Sequence, residues 1–405
     1  MSSVSPVTGT TEKPSIGKKV AAIAAAVATI AGILSQGQAI WSTLSGWYRG
    51  ISPPPIPYEV TATFPSGVPS YLRYYYLDEG LGKDQSLHWF RASMRNKSRN
   101  RITLAVLFTL DPLDCEFVQM KEGSNPTQIE LAGRQQQQVD ISPALIWLNK
   151  DSLNSCYLKV TYSIKDDRGD KPHPTGLGNI QILPRHRIKW DLSNVERKPV
   201  SKDFVLATLS AWPQSREGNI ISRATQIRQR HTAAASPEQW VKLCYDDLFM
   251  GNKAVSVAPT ATSYPFEEET TLRAPGQVLS DGHAEPLEAA LLMAAVLRNL
   301  IPHQVTFSLF VLPGERNPGA PAILVAWTPA GRDSPNAVDL NLAGSTAFSE
   351  NLQKSSELLK RTLTNDPELL KRLALQGVSF GQGRTSISAI DFERARTKFH
   401  IAPLQ

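Results

Sequence analysis

Apolar residues follow three successive patterns along this chain of 405 residues. Residues 1–15 are rich in Ser, Thr and Pro and have no period, which is typical of a mobile tail. From Val20 to Leu34 every residue is then apolar, Gly or Thr ("VAAIAAAVATIAGIL"), directly after Lys18 and Lys19. We therefore predict a hydrophobic helix within residues 16–50, followed by two globular regions.

The large side chains of this segment recur in a seven-residue rhythm. They are Val20, Ile23, Val27, Ile30, Leu34, Trp41, Leu44 and Tyr48. Small residues four apart, such as Ala21 and Ala25, allow two helices to approach closely. The pattern predicts that the segment self-associates and that the protein is a homo-oligomer.

The length of the segment leaves several interpretations open. Val20 to Leu34 would span about 22 Å and Val20 to Trp41 about 33 Å, against a hydrocarbon layer of about 30 Å. A membrane-inserted helix is favoured, and an amphipathic or bundle helix, a cleaved signal peptide and a core helix are the alternatives. Lysines before the segment place the N-terminus in the cytoplasm and send the rest across the membrane. The cysteine usage argues against that export, so the side on which the globular regions lie stays open.

The next two regions differ in period. Residues 51–57 contain "SPPPIP", a semi-rigid linker. Short β-type runs separated by turn residues then fill residues 58–192, among them "YLRYYYL", "ITLAVLFTL" and "CYLKVTYSI". They predict an antiparallel β-sandwich of immunoglobulin-like architecture. "ITLAVLFTL" is apolar enough to be buried on both faces.

Helices and strands alternate over residues 200–405, which predicts an α+β domain and makes the whole chain an α+β multidomain protein. One helix follows Ser236 and Pro237, which suit its N-cap and first turn. A second, strongly apolar helix spans Pro286 to Leu300.

Composition excludes several functions. Lys and Arg number 43 and Asp and Glu 37, giving a net charge of +6, but the basic residues are scattered and no nucleic-acid partner is expected. Cys115, Cys156 and Cys244 are too few and too far apart for a disulfide framework or a CxxC metal site, and they suit a reducing compartment. No cofactor and no metal are expected.

The order of motifs after residue 200 resembles the transglutaminase-like (papain-like) domain, in the version carried by bacterial conflict and defence systems. The resemblance rests on "LRAPGQVLSDGHAEPLEAALLMAAVLRN", a strand pair with "AILVAWTP", an acidic "VDL" and the closing "AIDFERARTKFHIAPL". It implies a cysteine at the start of the apolar helix, a histidine on a following strand and an orienting aspartate on a third strand. A thiolate at a helix N-terminus is stabilised by the macrodipole.

Two of these three positions are lost in this chain. With Glu288 on the acidic position of the motif, Pro286 stands where the cysteine is expected. The histidine position falls on Glu315 or, with another anchor, near Pro321. Only Asp339 matches, so the resemblance implies a domain without catalysis.

The start of the apolar helix is instead suited to stability. Pro286 fits the first helical position, and Glu285 and Glu288 place negative charge at the positive end of the helix dipole, each contributing about 0.3–1 kcal/mol. The sharper hypotheses are a metal site at Asp281, His283, Glu285 and Glu288, or a displaced Ser280 and His283 pair acting with Asp339. The blander interpretation is a solvated loop that leads into a helix.

Two other features each have a structural and a functional interpretation. Cys244 fits a buried hydrophobic position better than a reactive one. Arg185, His186, Arg187 and Lys189 form a basic cluster, interpreted as a solvated strand edge, with a partner or anionic lipid as the alternative.

Together these observations predict a non-enzymatic scaffold or sensor, tethered to the bacterial inner membrane by its N-terminal helix, with the globular regions favoured on the cytoplasmic side. It would contact membrane lipid and bind a protein partner through the degenerate domain. A membrane-disrupting oligomeric effector and a peptidase or amidase of altered mechanism are the alternatives.

Overall fold

A computed structural model describes residues 58–65, 67–72, 74, 91–113, 118–120, 126–140, 145–147, 155–166, 173–192, 200–214, 216–234, 236–258, 269–302, 304–313, 321–330, 334–381 and 387–403. The predicted hydrophobic segment (residues 16–50), the linker and Glu315 lie outside these residues. Within the described ranges, no helix combines the length and the apolar character needed to cross a membrane. The chain is a mixed α+β protein with several sheets.

The region from residue 58 to residue 192, called here the strand unit, consists mainly of two sheets. Its strands are Tyr58–Thr63 (β1), Gly67–Pro69 (β2), Arg91–Asn96 (β3), Ile102–Leu113 (β4), Val118–Met120 (β5), Thr127–Leu131 (β6), Gln136–Asp140 (β7), Leu145–Trp147 (β8), Cys156–Asp166 (β9), His173–Leu183 (β10) and Arg187–Lys189 (β11). One sheet has the order β1-β3-β7 and the other β2-β10-β9-β4-β6, while β5 pairs with β8. All pairs are antiparallel except β2 with β10.

Burial along these strands follows the two-residue period of a half-buried sheet. In β9 Cys156 and Leu158 are buried while Tyr157 between them is 53% exposed, as the alternation in the sequence predicts. In β4, Ile102 and Leu104 are buried whereas Thr103 is only partly so, so the expectation of a strand buried on both faces is wrong.

Two further expectations for this unit need correction. The run "YLRYYYL" predicts a strand, but Leu72 and Tyr74 lie in a helical turn, in which Tyr71 and Tyr74 are buried. Cys156 is disulfide-bonded, a pairing that the wide spacing of the three cysteines did not predict.

Residues 200–403 form the helix unit. Its helices are Lys202–Ala207 (α1), Gly218–Arg230 (α2), Pro237–Tyr245 (α3), Pro275–Asp281 (α4), Pro286–Leu300 (α5), Phe348–Asn365 (α6), Pro367–Gln376 (α7) and Phe392–Lys398 (α8), with 3-10 turns at Thr208–Gln214 and Leu340–Leu342 and a π-helical turn at Asp246–Met250. Its strands are Ser256–Val257 (β12), Glu269–Thr271 (β13), His283–Ala284 (β14), Val305–Leu312 (β15), Ala322–Pro329 (β16), Asn336–Asp339 (β17), Val378–Ser379 (β18) and Ser388–Asp391 (β19).

A five-stranded antiparallel sheet of order β17-β16-β15-β19-β18 organises the helix unit. In β15, Leu309 and Val311 belong to the main core, whereas Phe310 and Leu312 belong to a second core formed with α6 and α7. Helix α5 lies in the main core and is buried at every residue from Pro286 to Leu297. Such all-round burial is what a helix that is apolar on all faces requires.

Candidate functional site

The start of α5 is where the sequence resemblance places a nucleophile. Arg273 follows β13, α4 comes next, and Gly282 then ends α4 with a φ of 70°, a left-handed conformation that glycine adopts without strain. β14 pairs in parallel with β12, through Ser256 with His283 and Val257 with Ala284. This pairing fixes the direction in which the chain enters α5.

Pro286 is the first residue of α5 and is buried. A proline there gives up no hydrogen bond, because the first N–H groups of a helix have no partner within the helix. Its ring carries no nucleophilic atom. The position implied for a cysteine therefore has a purely structural occupant.

Glu288 lies in the first turn of α5. Its side chain accepts several hydrogen bonds from the residues around the start of the helix. Its carboxylate accepts the Arg273 backbone N–H (2.9 Å), Arg273 Nε–H (3.1 Å), Arg273 Nη2–H (2.5 Å) and the Glu285 backbone N–H (3.2 Å). Glu288 is 4% exposed. Burial alone would raise the pKa of its carboxyl, but these hydrogen bonds and the nearby guanidinium outweigh burial and hold the pKa below its ordinary value.

The Arg273 guanidinium also binds the other polar residues of the loop. Nη1 donates to Asp281 Oδ2 (2.9 Å) and lies 3.0 Å from His283 Nε2, and Nη2 donates to the His283 carbonyl (3.1 Å). Because the guanidinium has only donors, Nε2 of His283 acts as the acceptor. His283 Nδ1 then carries the proton and donates to the Asp281 carbonyl (3.1 Å).

Asp281, His283 and Glu288, three of the four residues of the metal hypothesis, thus converge on an arginine. The guanidinium occupies the place that a cation would take among them. Among the described residues, no group of His, Cys, Asp or Glu has the arrangement of a metal site. Sequence reasoning missed Arg273, and the available signal was its place in the "LRAPG" stretch directly before α4.

Asp339, the one catalytic position that the resemblance retains, lies at the end of β17. Its Oδ1 accepts the backbone N–H and side-chain Nδ2–H of Asn341 (both 2.9 Å) and the Ile323 N–H (3.3 Å). Burial raises the pKa of Asp339, which these hydrogen bonds oppose. No hydrogen bond between described residues joins it to an imidazole.

Pro321, the alternative histidine position, lies close to Asp339. Its carbonyl accepts Asn341 Nδ2–H at 2.9 Å, and the same amide group donates to Asp339. An asparagine therefore lies between the two positions where an acid and a base would interact. A carboxamide cannot act as a general base near neutral pH.

Ser280, His283 and Asp339 do not form a displaced triad. Ser280 Oγ donates to the Gly276 carbonyl (2.9 Å) and accepts from Asn219 Nδ2 (3.3 Å). His283 is bound to Arg273 and Asp281, and Asp339 to Asn341 and Ile323. No described hydrogen bond connects any two of the three.

Cys244 is fully buried in α3 and free of disulfide bonding. Burial raises the pKa of its thiol well above the ordinary value, and the nearby Asp247 raises it further. The thiolate is the reactive form, so the residue acts as a small hydrophobic side chain.

The predicted basic cluster is not a solvated patch. Arg185 is 5% exposed, and Arg187 Nε–H donates to Glu269 Oε1 (2.6 Å) across the β11–β13 pair. Burial lowers the pKa of His186, and the charge of Arg187 lowers it further. The cluster was assigned wrongly because β13 and its acidic residue are 82 positions away from Arg187.

A cavity of about 340 Å³ lies next to the β12–β14 pair. Phe249, residues 254–257 and residues 343–345 line it. None of these described lining residues is ionisable, and its two hydroxyls belong to Ser256 and Ser345. Such walls can hold a neutral group but supply neither an acid nor a base.

Comparisons with known proteins identify no family for this chain. No protein-family profile matches it, and no curated protein does. Among solved structures it is similar to a "putative protease" from Parabacteroides distasonis, with 15% identity over 64% of this chain and 67% of that chain and a TM-score of 0.24. A likeness at that TM-score supports no conclusion about fold or activity.

Proposed function

We propose that the helix unit is a non-catalytic, degenerate transglutaminase-like domain and that the protein is a membrane-tethered scaffold or sensor, which binds a protein partner through this domain in a bacterial defence or conflict system. One observation carries the proposal. At the start of α5, buried Pro286 stands in the position expected for a nucleophile. The hydrogen-bond donors of Arg273 beside it are engaged by the Glu288 carboxylate.

The chemistry of this arrangement supports binding rather than turnover. An activated thiolate or a developing oxyanion needs hydrogen-bond donors that are not already engaged. Here a buried carboxylate of the chain itself accepts donors from Arg273 and Glu285. The neighbouring cavity, whose walls include Ser256 and Ser345, can instead bind a group through shape complementarity and uncharged contacts.

The other parts of the proposal come from the sequence. Residues 16–50 supply the membrane tether and the oligomerisation helix, through their apolar run and heptad pattern. Residues 58–192 are assigned to an immunoglobulin-like spacer or binding module, an assignment that the two largely antiparallel sheets support. The setting in bacterial defence follows from the family resemblance.

Site-specific photo-crosslinking tests partner binding. A benzophenone amino acid in place of Ser345, on the cavity rim, should give a discrete adduct with another polypeptide in cells that make the full chain. The same group in place of exposed Lys360 on α6 is the control and should give none. The same amino acid in place of Ser256 probes a second position of the cavity. Absence of an adduct at both positions would contradict the proposal.

A second candidate, a membrane-disrupting oligomeric effector, is favoured by the heptad pattern and small residues within residues 16–50. The globular units would then sense a trigger. Dye leakage from liposomes with the full chain, absent after deletion of residues 16–50, supports this candidate. Liposome binding without leakage supports the tethered scaffold.

A further inference from the structure

The strand unit and the helix unit meet at a junction with unusually specific polar contacts. β11 of the strand unit pairs with β13 of the helix unit, and Trp190 Nε1–H donates to Thr270 Oγ1 at 2.8 Å. Tyr71 Oη donates to the Lys189 carbonyl (2.7 Å) and accepts the Lys189 N–H (3.1 Å). These bonds fix β11 between the two units.

Arg185 makes the longest-range contact of this junction. Its Nη1–H donates to the Pro403 carbonyl (2.9 Å) and its Nη2–H to the Ala402 carbonyl (2.6 Å), 218 and 217 residues away in sequence. The guanidinium carbon lies 5.2 Å from the centroid of the Tyr74 ring. A guanidinium this deeply buried is retained only where hydrogen bonds and a π face replace its hydration.

The segment Phe399–Pro403, called here the latch segment, is also anchored directly before the carbonyls that Arg185 binds. Phe399 packs edge to face on Phe204, with ring centroids 5.9 Å apart, and Phe204 lies 6.4 Å from Tyr71 of the strand unit. His400 has a φ of 53°, which is uncommon for a residue other than glycine. This bend is followed by Ile401, which is 2% exposed.

We propose that the latch segment, held by Arg185, locks the two units into one rigid body, and that its displacement is the step at which the units separate. The ring contacts from Phe399 through Phe204 to Tyr71 supply the apolar part of the lock. The two charge-assisted hydrogen bonds of Arg185 supply its polar part.

Distance measurements in the full chain test the latch. Spin labels on p-acetylphenylalanine in place of exposed Arg99 and Lys360 report the separation of the units. The parent chain should give one narrow distance distribution. Arg185→Met keeps the bulk of the side chain but removes its donors, and it should broaden the distribution or add a second, longer distance.

Arg187→Met is the matched control, because it removes the same charge two residues away and breaks only a partly exposed pair with Glu269. Its distribution should stay narrow. A second variant ends the chain after Ile401, which removes both acceptor carbonyls but keeps Phe399 and Ile401, so that failure of Arg185→Met to fold leaves the test in place. A narrow, unshifted distribution in a folded Arg185→Met or truncated chain overturns the proposal.

Discussion

Glu288 is the residue on which the start of α5 depends most. In the folded chain the pKa of its carboxyl lies below the ordinary value of 4.5. The ionised form therefore contributes stability that is complete above about pH 4.5 and is lost as the pH falls through the lowered pKa. The favourable contacts exceed the cost of burying the carboxylate, which is the reverse of the balance at Asp339.

Glu288→Gln should lower the free energy of unfolding by roughly 2–4 kcal/mol at pH 7, because it leaves Arg273 without its buried counter-charge. The difference from the parent chain should shrink at a second, acidic pH below 4.5, as the pH falls through the lowered pKa of Glu288 and its carboxyl becomes protonated in the folded chain. Urea unfolding at both pH values measures it. Glu350→Gln, at an exposed pair with Lys354, is the control and should change stability by no more than about 1 kcal/mol. A pH-independent difference would contradict this account.

Asp339 is expected to tolerate loss of its charge. Asn keeps the Oδ1 acceptor for Asn341 and Ile323, so Asp339→Asn should stay within about 1 kcal/mol of the parent at pH 7, whereas Asp339→Ala should cost about 1–3 kcal/mol. Folding raises the pKa of Asp339 above 3.8. The parent chain should therefore become more stable relative to Asp339→Asn as the pH falls through that raised pKa. Chemical denaturation of the three chains between pH 4 and pH 7 checks both points. A large loss in Asp339→Asn at neutral pH would indicate a buried cationic partner.

At the scale of elements, α6 covers the edge of the central sheet at β17. Its side chains form hydrogen bonds that a sixth strand would otherwise form with β17. The outward-facing groups of edge strand β17 bind α6: the Asp339 N–H donates to Asn351 Oδ1 (2.8 Å), and Asn351 Nδ2–H donates to the Asp339 carbonyl (2.9 Å). Further along α6, Ser356 Oγ accepts the Ala337 N–H (3.0 Å). Covering an edge in this way prevents strand addition from another chain.

Asn351→Ala should therefore cost about 2–4 kcal/mol, because two buried backbone groups of Asp339 lose their partners. Asn365→Ala, at the exposed end of the same helix, is the matched control and should lie within about 0.5 kcal/mol of the parent. Thermal or urea unfolding compares the two. Equal stability of the two variants would show that α6 does not satisfy the edge of β17.

Elements with strong local signals could be predicted from the sequence, and contacts between distant residues could not. The prediction of a helix after Ser236 is confirmed, and its Ser236 and Gln239 form a reciprocal capping box; the prediction of α5 from Pro286 to Leu300 is confirmed as well. The roles of Arg273 and Asn351 depend on partners 15 and 12 residues away across a turn or a strand. Periodicity carries no information about such pairs, and for the same reason buried Arg185 was assigned to the surface.

At the scale of the whole molecule, membrane attachment is predicted to depend on residues 16–50 alone. The full chain should float with liposomes in a density gradient, and a chain without residues 16–50 should stay at the bottom while keeping its circular dichroism spectrum. The physical reason is the apolar run from Val20 to Leu34; among the described residues no helix is both long and apolar enough to cross a membrane. Flotation of the truncated chain would assign the contact with lipid to the globular units.

The most direct test of the central claim, that the helix unit binds without catalysing, is turnover of a diverse peptide and amide library by the full chain, read by mass spectrometry. The account predicts no cleavage or acyl transfer above buffer, and identical results for Cys244→Ala, Ser280→Ala and Asp339→Asn. Turnover by the parent chain that any one of these substitutions abolishes would contradict it.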